Sequence, residues 1–236
     1  MQDFTTTFGS TVADAPAVQR AQFIRKTYLW LAAAIIAFLI VEAVLFVTPA
    51  AGMILSVVSA GGNIGWLVVL GAFAGVSYVA NKWAMSDSSR AVQLLGLGVY
   101  VVAEAVIFVP MIAIAMYASG DGSILFKAGI VTLGLFLGLT ATVFLTRSDF
   151  SFLRPILVIG GSIAMAAIVS SLIFGFSLGS IFAFIMVAFA GTAILYNTSN
   201  VMRTFNTNQH IAASLVLFAS IALLFWYIIS IFSSRD

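Results

Sequence analysis

Seven apolar stretches separated by short polar breaks run along this chain between Tyr28 and Phe232. They are Tyr28 to Val47, Asn63 to Asn81, Ala91 to Tyr117, Ala128 to Thr146, Pro155 to Gly175, Leu178 to Thr198 and Ile211 to Phe232, each about 19 to 27 residues long. At about 1.5 Å per helical residue, every one can cross a hydrocarbon core roughly 30 Å thick. The runs are continuous rather than alternating with period two, which argues against a membrane β-barrel. A helix also satisfies its backbone hydrogen bonds within one segment, as lipid demands. The pattern predicts an all-α integral membrane protein with seven transmembrane helices. One membrane domain covers residues 23–236, and a flexible polar tail covers residues 1–22. Two further segments read as non-helical, the Gly/Ser/Ala stretch Thr48 to Gly62 and the Asn-rich Asn200 to His210. The tail does not read as a secretory signal, because the first apolar run begins too late and is too long.

Composition reinforces this reading. Hydrophobic residues make up 62% of the chain and charged residues 8%, and mean hydropathy is +1.17, which leaves too few polar side chains to cover a soluble domain of this length. With no cysteine there is neither a disulfide framework nor a thiolate site. The net charge is only +2 and no basic cluster exists, so nucleic acid is not an expected partner. The single histidine, His210, stands at the entrance to the last run, without the partners that a His-ligated metal or a Ser/His dyad requires. No glycine pattern follows a strand as a nucleotide site would need. An enzyme is not expected, and no cofactor is implied.

Orientation follows from the ten Lys and Arg residues, because positively charged loops resist translocation. Arg20, Arg25, Lys26, Lys82, Arg90, Arg147, Arg154 and Arg203 share one side of a seven-span topology, against Lys127 and Arg235 on the other. The amino terminus is therefore expected in the cytoplasm. The last run either crosses fully or re-enters among the others. A reporter fused within Thr48 to Gly62 should read as external and one fused after Arg147 as cytoplasmic; the opposite pattern would reverse the assignment.

Two ionisable residues lie well inside the spans, Glu42 in the first and Glu104 in the third. Counted from Lys26 and Arg90, both sit roughly 21 to 24 Å from the basic boundary, so they share a similar depth. A lone carboxylate there must be protonated, be partnered or face water, and no Lys or Arg lies within a span to pair with it. The residues therefore form a candidate ion or proton site facing one interior cavity, and the alternative is a pair of neutral acids that cement helices. Pro110, six residues past Glu104, can kink that helix and free a carbonyl. Small residues four apart, Gly71 with Gly75, Gly134 with Gly138 and Gly160 with Ala164, predict close helix packing, read as internal rather than dimeric. Oligomeric state is not set.

The segment Phe23-Ile-Arg-Lys-Thr-Tyr28-Leu-Trp-Leu, the loop Leu145-Thr-Arg-Ser-Asp149-Phe-Ser-Phe-Leu153 and Tyr196-Asn-Thr-Ser-Asn200 together resemble the Bax inhibitor-1 family, from about Phe23 to the carboxyl end. The loop, with Arg147, Asp149 and Phe150, is the most specific piece. The resemblance is closest to the bacterial YccA branch. It implies seven helices with the last one central, surrounded by six. In the calcium-leak members, two aspartates on the last two helices share a proton as a pH-sensitive latch; the matching positions here are Asn197 and Ser220. Neither is acidic, so coupled titration is not expected. The YccA branch restrains the membrane-bound ATP-dependent protease FtsH, for which the tail Met1 to Gln22 would suit as an initiation segment. The resemblance thus implies a bacterial inner-membrane protein, set in membrane lipid, that modulates membrane-protein quality control through FtsH. The alternative is a calcium or proton leak through the intramembrane carboxylates.

Overall fold

The computed structural model describes residues 11–86 and 89–234 of the chain. Each apolar run becomes one helix: α1 (Ala17–Val47), α2 (Ala50–Ala84), α3 (Arg90–Ser119), α4 (Ser123–Thr146), α5 (Leu153–Phe174), α6 (Gly179–Arg203) and α7 (His210–Ser233). All seven are long and apolar enough to cross a membrane. Among the described residues there is no strand, only an isolated bridge between Thr11 and Asn206.

The last helix is the centre of the bundle. It packs against α1, α2, α3, α4 and α6. Ile211, Leu215, Leu217, Leu224 and Ile229 are fully enclosed on its several faces, as a helix that is apolar all round requires. Its 24 residues span about 36 Å at 1.5 Å per residue, enough to cross fully rather than re-enter. By contrast α5 approaches only α2 and α6 and buries Ala164 alone. Aromatic rings fix the register of the core: Phe38 meets Phe108 at 5.2 Å and Phe218 at 6.0 Å, and Phe218 meets Tyr100 at 6.2 Å.

Three expectations change. The tail does not extend to Gln22 as flexible chain, since α1 already begins at Ala17 and Val12 is fully buried. The Val12 amide donates to the Phe205 carbonyl at 2.9 Å, and Arg20 donates to the Ala15 carbonyl at 3.3 Å. An apolar side chain and a paired backbone are enough to dock this stretch against the connection between α6 and α7. Residues 1–10, the rest of the expected tail, lie outside the described residues.

The expected Thr48 to Gly62 loop is helical from Ala50 to the bend at Gly62. Its glycines and serines read as loop signals, but Ala50, Met53, Ile54, Leu55, Val57 and Val58 are compatible with helix, and next to a bilayer a helix satisfies their backbone groups within the segment. The helix is bent at Gly62, whose φ of 52° and ψ of −141° suit a residue without Cβ. The predicted span beginning at Asn63 therefore starts at a bend inside a longer helix. The Asn-rich segment is likewise shorter than expected, because α6 continues to Arg203.

The small-residue expectation holds in one helix only. Gly160 lies against the Phe189 ring, which a Cβ would meet at 3.0 Å, and Ala164 is buried beside Met186 and Tyr227. A Cβ on Gly71, Gly75, Gly134 or Gly138 would meet nothing within 4 Å. The closest approach is at Gly96, where a Cβ would stand 2.6 Å from the Ala80 carbonyl oxygen and 2.7 Å from the Ala84 nitrogen. There α2 and α3 touch backbone to side-chain-free backbone, the arrangement that gains most dispersion contact where lipid supplies no hydrophobic drive.

Candidate functional site

A cavity of about 980 Å³ runs beside α7 and is walled by α2, α3, α5, α6 and α7. Its lining is mostly apolar, with Glu104, Asn197 and Ser220 placing polar groups on three different walls. Glu104 comes from α3, where a carboxylate among Ala103, Ala105 and Val106 can reach inward only because the neighbouring side chains are small or turn elsewhere. Its residue is 7% exposed, and Tyr100, one turn earlier on the same helix, lines the same cavity. Tyr100 was not singled out from the sequence, although its i, i+4 spacing from a buried acid is the signal that finds it.

Asn197 and Ser220 do face each other. The Asn197 Nδ2 donates to Ser220 Oγ at 2.8 Å, and Ser220 Oγ donates to the Val216 carbonyl at 2.9 Å. The pair ties α6 to the central helix by a neutral hydrogen bond. An amide and a hydroxyl carry no ionisable proton between them, so the link keeps its charge state over the whole physiological range.

Glu42 stands apart from this site. No residue of α1 lines the cavity. Phe38 packs on Phe108 and Phe218, and Phe218 on Tyr100, which places Phe38 near the level of Glu104 and Glu42 one turn, about 6 Å, further along. The two acids thus lie at comparable depth, as counting along the helices indicates, but Glu104 lines the cavity and Glu42 does not, so the expected shared cavity is not formed. Both Glu42 carboxylate oxygens are enclosed without a hydrogen-bond partner among the described residues. Pro110 is also turned away from Glu104. It lies inside continuous α3 and lines a separate cavity of about 510 Å³ against the bend of α2 at Gly62.

The loop with Arg147, Asp149 and Phe150 lies at one end of the bundle and lines neither cavity. It is pinned to the end of α6: the Phe150 amide donates to Ser199 Oγ at 3.2 Å, and the Arg203 guanidinium donates to the Arg147 carbonyl. Arg147 adopts a left-handed φ of 51°, a conformation a non-glycine residue holds only when its surroundings fix it. The Ser151 backbone N–H donates to Asp149 Oδ1 at 2.9 Å. That bond, then the Ser151 hydroxyl and the Arg203 charge, hold the exposed Asp149 carboxyl below the usual carboxylate range. These residues shape the chain where it enters α5 and anchor the helix that carries Asn197. His210, at the start of α7, is buried with both ring nitrogens unpartnered among the described residues, and no group of three metal-ligating side chains forms among them.

Comparison with known proteins places this arrangement in a family. The family model described as inhibitor of apoptosis-promoting Bax1 matches residues 20–236. Uncharacterized protein PA2604 of Pseudomonas aeruginosa is 32% identical over 126 residues, which cover 52% of this chain and 55% of that protein. The chain thus matches about half the length of that curated relative. A bundle of seven membrane-crossing helices around a central last helix, with the family match extending over nearly all of it, makes this chain a multi-pass membrane protein that belongs to the Bax inhibitor-1 family.

Proposed function

We propose that the protein is a non-enzymatic passage for a cation through the inner membrane of a bacterium, with Glu104 as the binding group and a permanently neutral Asn197–Ser220 link in place of a titrating latch. The observation that carries this reading is the convergence of one buried carboxylate, an amide and a hydroxyl on a single cavity beside the central helix. A carboxylate at this depth needs a proton or a counter-cation, and a cavity gives either one a path. In the expected orientation the amino terminus is cytoplasmic and Asn197 lies on the cytoplasmic side of Glu104. Since Glu42 is outside the cavity, passage should depend on Glu104 alone. In proteoliposomes, Glu104→Gln should lower proton entry by roughly tenfold or more, while Glu42→Gln leaves it unchanged. Equal flux through parent and Glu104→Gln at matched incorporation would remove this reading.

A second reading follows from the same two neutral side chains. Neither position is acidic, and Ser220 resembles the YccA branch, which supports association with FtsH and restraint of that protease. Docking of Val12 against the α6 to α7 connection removes Val12 and the residues that follow it from the expected initiation segment, so the tail contributes less to this reading than the sequence suggests. Co-purification from native membranes separates the two: retention of FtsH by a protein with no Glu104-dependent flux favours restraint.

A further inference from the structure

We propose that the Glu104 cavity binds a lipophilic organic cation, an amphiphile whose positive charge is shielded by apolar groups. The proposal rests on the reading of Glu104 as the cation-binding group and names the class of cation. Three properties of the cavity point to it. Its volume of about 980 Å³ is at the upper end of the range of about 300 to 1,000 Å³ that encloses a drug-sized molecule, far more than a bare or partly hydrated inorganic ion fills. Its charge comes from a single carboxylate. Calcium takes about six to eight oxygen ligands and its affinity rises with the number of charged ones, whereas here every polar lining group besides Glu104 is neutral, Ser77, Asn81 and Ser230 included, and Asn197 and Ser220 already spend hydrogen bonds on each other and on the Val216 carbonyl. An inorganic divalent ion entering this space would exchange its water for neutral oxygens and a single carboxylate.

The third property is the aromatic wall. Trp66 and Phe73 of α2, Phe108 of α3, and Trp226 and Tyr227 of α7 line the same space as Glu104. Aromatic faces attract weakly hydrated cations, and most strongly where water is excluded. A diffuse organic charge gives up little hydration, so one carboxylate and several rings suffice to hold it. Access agrees with this chemistry: the outer wall is α5, which packs only on α2 and α6, so a cation that partitions into the bilayer meets the least anchored helix of the bundle.

Tetraphenylphosphonium tests the idea, with the full chain in nanodiscs and a selective electrode reading the free cation. Saturable binding is expected in the parent, weakened roughly tenfold by Glu104→Gln and about three- to tenfold by Trp226→Leu. Glu104→Asp should retain binding, and neutral triphenylphosphine oxide should fail to compete. If Glu104→Gln does not fold, the Asp variant and the neutral competitor decide. Competition by the neutral analogue as strong as by the cation, or full binding by folded Glu104→Gln, would overturn the proposal by showing an apolar sink. Absence of binding alongside Glu104-dependent proton flux would overturn it while sparing the passage reading; absence of both would remove the two together.

Discussion

Gly96→Ala should destabilise the protein by about 3 kcal/mol, the upper end of what overpacking costs. The reason is what blocks the added methyl. At 2.6 and 2.7 Å its neighbours are the Ala80 carbonyl oxygen and the Ala84 nitrogen, both backbone atoms of α2, with Trp83 Cβ behind them at 3.1 Å. No side chain can rotate away, so α2 and α3 must separate along their contact. Gly98, one residue pair along α3, supplies the control: its Cβ would meet nothing within 4 Å, and Gly98→Ala should be neutral or stabilising by up to about 1 kcal/mol through helix propensity. Thermal unfolding of the three proteins in one detergent measures the contrast. Equal melting of Gly96→Ala and parent would mean that the two helices are not in backbone contact.

Replacing both Asn197 and Ser220 by Asp should convert a constant link into a titrating one. The two side chains meet at 2.8 Å. Two full carboxylates about 4 Å apart repel by about 4 kcal/mol at an effective dielectric constant near 20, so the pair is expected to hold a proton between them. The sign is then fixed: the variant keeps its α6 to α7 contact at low pH and loses it as pH rises and the shared proton leaves. Its melting temperature should fall between pH 6 and pH 8, and a cation leak in proteoliposomes should rise, while the parent stays flat in both. A parent with a steep pH response of its own would show that another group governs passage.

What could be read from the sequence was whatever lipid imposes on every residue alike. A membrane core demands unbroken apolar helices, so seven runs gave seven helices and their count needed no tertiary information. Depth was legible for a similar reason, since counting 1.5 Å per residue from a basic flank puts Glu42 and Glu104 near one level. Direction around the helix axis was not. Whether an acid faces a cavity or packed neighbours is decided by residues distant in sequence: Glu104 lines the cavity, whereas Glu42 is enclosed outside it. The same limit explains the glycines: Gly71 and Gly75 carry the recognisable spacing yet meet nothing, whereas lone Gly96 lies at the tightest crossing. The pairing of Asn197 with Ser220 came from family resemblance rather than periodicity, because a hydrogen bond between residues 23 positions apart leaves no local trace. Central placement of α7 came the same way.

That placement sets an order of events during synthesis. The helix around which α1, α3, α4 and α6 are arranged leaves the ribosome after all of them. Until then the earlier helices surround an unfilled axis, with Glu104 and Asn197 facing a gap that lipid or water must occupy. Assembly of this membrane protein therefore cannot be completed helix by helix as the chain emerges. It closes in a late step, when the 24 residues of α7 slide in among partners already resident in the bilayer.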